Sequence, residues 1–243
     1  MRNPARLTTA SAALACTAAL ALTGCSAAES GPFAGKSGSE VVNASLDTVR
    51  KASSLTFSGT FPDGGKTVHV TMSMTKGGAE CTGTFGTEGE GKAELLKKGE
   101  DLYLKADEAF YSSEFKDMPK DEAALALKLL AGKWVKSKAT DADSKDVAGF
   151  CDLGKLTEEF EKSEGAKKGK TGTVNGQEAL EITTKTDDGT ETVWVATKGE
   201  PYLLKTVHTG EEAGEMNFSG FDKPVQVPAP ADKDIVDLAK MGG

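Results

Sequence analysis

Thr67-Val68-His69-Val70-Thr71-Met72-Ser73-Met74-Thr75 alternates without a break between polar and apolar side chains. A period of two puts Val68, Val70, Met72 and Met74 on one face of a β-strand and the hydroxyls and His69 on the other. Turn residues bound the stretch on both sides, Pro62-Asp63-Gly64-Gly65 before it and Gly77-Gly78 after it. Upstream, Leu55, Phe57, Gly59 and Phe61 keep the same period, so the two strands meet in a hairpin. Downstream, strand-like runs at Glu80–Phe85, Lys92–Lys97 and Asp101–Lys105 are separated by glycine-containing turns. Strands that follow one another through short turns form an antiparallel meander.

Outside these strands the period changes to that of a helix. Before the first strand, Val42, Leu46 and Val49 recur at i, i+4 and i+7, with Ser39 as the expected cap. Beyond the meander, Glu108–Phe115 and DEAALALKLLAG (121–132) predict helices, the second closed by Gly132. Trp134-Val135 predicts a short strand or packing plug, and Leu153, Leu156 and Phe160 a further helical stripe. Alternation returns from Lys168, with Leu180 and Ile182 on one face and Asn175-Gly176 as a hairpin turn. Strands at Glu191–Thr197, Tyr202–Thr209 and Met216–Phe221 precede a Pro-rich tail and an expected final helix over 232–240. Strands in consecutive runs, interrupted by one helical insert, predict an antiparallel α+β fold in a single domain, 39–243.

The chain has 243 residues, of which 27% are charged, and a formal net charge of −8. That length supports a sizeable core, and that polarity excludes a polytopic membrane protein. Only three of the 29 basic residues, Arg2, Arg6 and Arg50, are arginines, so bidentate phosphate or guanine recognition has almost nothing to work with. A nucleic-acid partner is not expected. The 28 glycines exceed the roughly 7% of ordinary globular chains and agree with many turns.

The first 24 residues read as a signal peptide: a basic head with Arg2 and Arg6, then an uncharged Ala/Leu run from Leu7 to Leu22. That run is shorter than the ~20 residues a spanning helix needs, which weighs against an uncleaved anchor. It ends in Leu22-Thr23-Gly24-Cys25, an aliphatic residue, two small ones and a cysteine, the pattern of a bacterial lipobox. The thiol of Cys25 can take a diacylglyceryl group as a thioether, and the small residues before it admit the chain to a peptidase cleft that cuts between Gly24 and Cys25. Processing removes two basic residues and no acid, taking the formal charge from −8 to −10. Residues 25–38 are small and polar and are expected to form a flexible tether of roughly 20 Å reach.

Cys16 leaves with the signal and Cys25 carries lipid, so Cys81 and Cys151 remain as a candidate disulfide in an exported protein. The alternative, two redox-active thiols, lacks a C-x-x-C pair and a nearby basic activator. His69 and His208 are the only histidines, each in the polar phase of a strand, and no spacing suggests a metal site. There is no nucleophile elbow, no phosphate-binding glycine loop and no calcium-loop pattern, and acidic pairs such as Glu158-Glu159 and Glu211-Glu212 read as solvated faces. Neither catalysis nor a cofactor is expected.

The lipobox, the Gly-rich tether, the opening helix and two meanders around a helical insert together resemble the LppX/LprG-type lipoproteins of actinobacteria, which share the half-barrel of the LolA/LolB carriers. Phe218-Ser219-Gly220-Phe221-Asp222-Lys223-Pro224-Val225, with Val227 and Pro230, is similar to the closing strand and exit of that family. The resemblance implies a curved antiparallel sheet whose helix-covered concave face holds acyl chains of a lipid or glycolipid. It also implies a protein anchored on the extracytoplasmic face of the cell membrane through acylated, palmitate-bearing Cys25. Leu55, Phe57, Phe61, Val68, Val70, Met72, Met74, Leu180 and Ile182 are the candidate lining, with Gly59 and Gly83 as places where room is left. The same positions equally suit a filled core, in which case the protein is an envelope interaction or sensor module.

Overall fold

The computed structural model describes residues 31–158, 162–210 and 213–240. The expected signal peptide, Gly24, Cys25, the first residues of the tether, Phe160 and the acids Glu159, Glu211 and Glu212 lie outside them.

The first helix, α1 (Gly38–Lys51), begins earlier than the apolar stripe alone indicates, because Ser37 rather than Ser39 caps it. The Ser37 side chain accepts the Glu40 N–H at 3.2 Å, and the Glu40 carboxylate accepts the Ser37 N–H at 2.7 Å, a reciprocal capping box. Ser39 instead accepts the Ala166 N–H at 3.1 Å and ties the helix to the start of a later strand. Within the expected tether, residues 31–36 form turns and Phe33 packs against the core.

Five strands follow: β1 (Ser54–Asp63), β2 (Lys66–Thr75), β3 (Glu80–Thr87), β4 (Gly91–Lys98) and β5 (Asp101–Ala106). The insert holds α2 (Glu108–Glu114), α3 (Lys120–Leu130), the strand β6 (Trp134–Lys138), α4 (Lys145–Gly149) and α5 (Leu153–Glu158). The second run is β7 (Lys167–Val174), β8 (Gln177–Lys185), β9 (Gly189–Ala196), β10 (Leu203–Gly210) and β11 (Gly214–Ser219). Hairpin geometry sits where the glycines demanded it: Gly77 and Gly78, and Asn175 and Gly176, all have positive φ. The tail does not form the expected final helix. Its apolar pair Ile235-Val236 lies in a three-residue strand, β12 (Ile235–Asp237), flanked by short 3-10 turns, because a free edge of β6 is there to pair with it.

All twelve strands belong to one open sheet in the order β12-β6-β5-β4-β3-β2-β1-β11-β10-β9-β8-β7. Every pairing is antiparallel except β12 with β6. Each meander is local, and the two join where β11 slots between β1 and β10. The helices all pack on one face. Val41, Val42, Leu46 and Val49 of α1 and Leu153 of α5 share a buried cluster with Leu55, Met74, Ile182 and Val195. Tyr111 of α2 forms a second cluster on Ala93 and Ala106, with Phe85 and Leu104 at its margin. Cys81 on β3 and Cys151, between α4 and α5, form a disulfide with both residues fully buried, so the insert is bolted to the first meander.

The exit from β11 is fastened by one carboxylate. Asp222, at a φ of 58°, accepts the Ser53 N–H at 2.7 Å, the Ser53 hydroxyl at 2.9 Å and the Tyr202 hydroxyl at 2.7 Å. These donors hold its carboxyl below the usual carboxylate range, the Ser53 backbone bond first among them, and the same carboxylate pushes the Tyr202 phenol up to about 12.

Candidate ligand-binding face

The registers show how the expected lining residues meet. Leu55, Phe57, Gly59 and Phe61 of β1 stand opposite Met74, Met72, Val70 and Val68 of β2. On the other flank of β1, Phe57 opposes Phe218 and Gly59 opposes Met216. Across the second meander, Leu180 and Ile182 oppose Val195 and Val193. All nine positions therefore point to the face that carries the helices.

They do not share one environment. Leu55, Phe57, Met72, Met74, Leu180 and Ile182 are between 0% and 6% exposed and lie in the closed cluster beneath α1 and α5. The room expected at the two glycines is taken by the backbone of the adjacent strands and by methionines. A Cβ on Gly59 would come within 2.9 Å of Met216 Cγ, and one on Gly83 would overlap the sulfur of Met72. The flexible, polarizable thioether fills the gaps these glycines leave, which is how methionine commonly serves an irregular core.

The remaining three positions lie farther along the strands. Val68 and Val70 are half-buried, and Phe61 is 43% exposed, an unusual state for a phenylalanine on the helix-covered face. Val70, Phe85 and Met216 are only partly covered and adjoin the closed cluster. An apolar strip thus runs out from the closed cluster under α1 and α5 toward Phe61, with Phe85 beside it against Phe110 of α2.

A polar group ends the strip. The row that contains Val68 and Phe61 continues through Gly214 to His208 of β10, then to Glu191 of β9 and Thr184 of β8. His208 Nε2 is buried, forms no hydrogen bond, and lies 3.4 Å from a carboxylate oxygen of Asp188. Burial pushes the Glu191 carboxyl up, and the nearby His208 only partly opposes that shift. Composition and motif gave no sign of this pair, because each residue sits in an ordinary alternating strand and only the β9–β10 register brings them together.

Because the native pKa of Glu191 exceeds its unfolded value, the stability it contributes is present below about pH 4 and is lost as pH rises through the native pKa. Glu191→Gln, neutral at every pH, is expected to raise the melting temperature at pH 7 and to leave it unchanged at pH 4. Thermal denaturation followed by circular dichroism at both pH values checks this, and an equal gain at both would remove burial of charge as its cause.

No helix among the described residues is long and apolar enough to cross a membrane, and no three His, Cys, Asp or Glu side chains among them gather into a metal-holding group. No protein-family model matches the sequence, and no curated protein matches it. Solved structures do match. The lipoprotein LppX of Mycobacterium tuberculosis aligns over 79% of this chain and 98% of its own at 13% identity, with a TM-score of 0.49. An uncharacterized conserved protein of Thermus thermophilus aligns over 82% and 97% at 7% identity, with a TM-score of 0.37. LprF of Mycobacterium bovis aligns over 80% of this chain and 97% of its own at 11% identity, with a TM-score of 0.51. The α+β architecture expected from the strand pattern, an open antiparallel sheet with its helices on one face, is the one found, and it is the fold of LprF.

Proposed function

We propose that this protein is a lipid-anchored lipoprotein of the extracytoplasmic membrane face that binds the acyl chains of a lipid or glycolipid along the helix-covered side of its sheet. The observation that carries this reading is the strip from Val70 and Met216 to the 43%-exposed Phe61, an apolar surface continuous with the core. Burying exposed apolar area on a ligand is worth roughly 25 cal/mol per Å², and alkyl chains suit such a strip because they ask only for contact. Glu191 and His208 at its far end give an amphiphile's polar head somewhere to hydrogen-bond. The anchor follows from the lipobox at Leu22–Cys25, and the reading requires no covalent chemistry.

The closed packing of Leu55, Phe57, Met72, Met74, Leu180 and Ile182 favours a second reading, a contact module whose core is filled and which carries nothing. Native mass spectrometry of the protein purified from its own membranes separates the two. A co-purifying lipid that is lost in Phe61→Asp supports acyl binding. Apo protein alone, with no heat of binding when lipid is added back, overturns it.

A further inference from the structure

One end of the sheet is basic. Among the described residues β7 pairs with β8 alone, so its other side is open. Residues 162–170 hold Lys162, Lys167, Lys168 and Lys170 against one acid, Glu164, a formal +3 in an otherwise acidic chain. Lys36 joins them in space: the Phe33 carbonyl accepts both the Lys36 N–H at 3.1 Å and the Lys168 ammonium at 3.4 Å. Lys36, Lys162, Lys167 and Lys170 are exposed, and no ion pair joins any of the four to another residue among those described. Of the acids nearby, Glu40 is engaged in the Ser37 capping box and Glu181 lies against Gly169 from β8.

The chain enters the domain at this same edge. The start of α1 lies directly on it: a Cβ on Gly38 would strike the Ala166 carbonyl oxygen. The Asn43 amide exchanges hydrogen bonds with the Ser163 main chain, donating at 3.2 Å and accepting at 2.9 Å. Cys25 and Gly31, the first described residue, are six positions apart in the sequence, so at most about 21 Å separates them whatever path the chain takes. A lipid on Cys25, the anchor reading on which this inference rests, therefore brings the β7 edge within reach of the headgroups.

We propose that this edge rests on anionic lipid headgroups, with Lys36, Lys162, Lys167 and Lys170 against their phosphates, and so sets the anchored protein edge-on to the bilayer. Charge complementarity and the length of the tether together select the occupant. A second copy paired along β7 would set lysines against lysines, which repel. An acidic polypeptide would satisfy the same charges, but it has to be recruited from solution, whereas the tether keeps headgroups beside the edge at a high effective concentration. Each lysine near an anionic surface favours contact about fivefold. Four are enough to orient a domain that is already anchored, and too few to hold a strongly acidic protein on a membrane without its lipid. In this orientation the acyl-binding strip on β1, five strands from β7, stands about 24 Å along the sheet from the headgroups.

The test couples residues 25–243 through the Cys25 thiol to a maleimide phospholipid in vesicles, Cys81 and Cys151 being joined to each other. Attachment is then fixed by chemistry, so the outcome does not depend on whether cells acylate Cys25, which the mass of the protein from its own membranes tests separately. Acetylation of each lysine is followed by mass spectrometry on phosphatidylcholine vesicles with and without phosphatidylglycerol. Phosphatidylglycerol is expected to slow Lys36, Lys162, Lys167 and Lys170 about threefold or more, and to leave the exposed Lys98 and Lys133, in the other half of the sheet, unchanged. The effect should vanish in about 1 M sodium chloride. Lys162→Gln/Lys167→Gln/Lys170→Gln is expected to abolish the slowing at Lys36 and the matching arginine triple to retain it, both being exposed changes whose folding is checked by circular dichroism. The proposal is overturned if phosphatidylglycerol slows none of the four lysines or slows Lys98 and Lys133 equally, or if polyglutamate protects the four while the vesicles do not. It is also overturned if the glutamine triple keeps the slowing at Lys36, whether as a monomer or as a dimer seen by ultracentrifugation, the second being the sign of lysines that only guard a strand edge.

Discussion

Replacing Cys81 and Cys151 together by alanine is expected to cost about 4 kcal/mol of stability. The bond spans a sequence separation of 70 residues, and opening a loop of that size restores about that much chain entropy to the unfolded state. For a domain of this length the loss corresponds to a fall in melting temperature of about 10 °C. Both side chains are fully buried, so the substitution also leaves small voids next to Leu153 and Met74 and adds to the loss. The insert should suffer first. Hydrogen exchange in α4 and α5 is expected to accelerate more than in β8 and β9, whose mutual pairing does not involve the bond. Uniform acceleration, or a melting temperature within about 2 °C of the parent, would show that the insert is held by packing alone.

Cys25→Ser is expected to have the largest effect on location. The serine hydroxyl cannot form a thioether, so the proposed acyl chains would be absent, and with them ~0.8 kcal/mol of membrane affinity for each buried methylene. Residues 25–243 carry a formal charge of −10, and no helix among the described residues is long and apolar enough to cross a membrane. The variant should therefore move almost entirely from the membrane to the soluble fraction. In the parent, the intact mass should exceed that of residues 25–243 by one diacylglyceryl group, with or without a further acyl group on the amine. Retention of the variant in membranes after a high-salt wash would defeat the anchor.

The fold was legible where local chemistry repeats. Strict alternation over 67–75 and the turn residues around it were enough for the β1–β2 hairpin, and the observed register joins Leu55 to Met74 and Phe61 to Val68 as the two patterns require. The final strand was not legible, because a three-residue strand such as β12 has no period to detect and owes its form to the vacant edge of β6. The same limit governs the candidate site. Apolar phase showed which face Leu55, Phe61, Met72 and Ile182 point to, but not which of them α1 would cover, since that depends on where a helix lies on a sheet whose strands are drawn from the whole length of the chain. Gly59 and Gly83 mark close approach of neighbouring strands, and nothing in the sequence indicates that the backbone of Glu215 and Thr71 and the side chains of Met216 and Met72 are what approaches. The Glu191–His208 pair is a product of the register between β9 and β10, which alternation alone does not set.

The seam between the meanders has a consequence for the life of the chain before it is finished. β1 emerges early, yet its second neighbour, β11, arrives only after all the intervening elements. Until then one full edge of β1, with the sequence SLTFSGTFPD, is open, and nine of its ten residues are uncharged. An unpaired, weakly charged strand of that length is a template for other chains. Pro62 and Asp63 interrupt only its last two positions. The half-made protein is thus at greatest risk of aggregation before the chain is complete, and its safety in that interval rests on how quickly the last strand reaches the first.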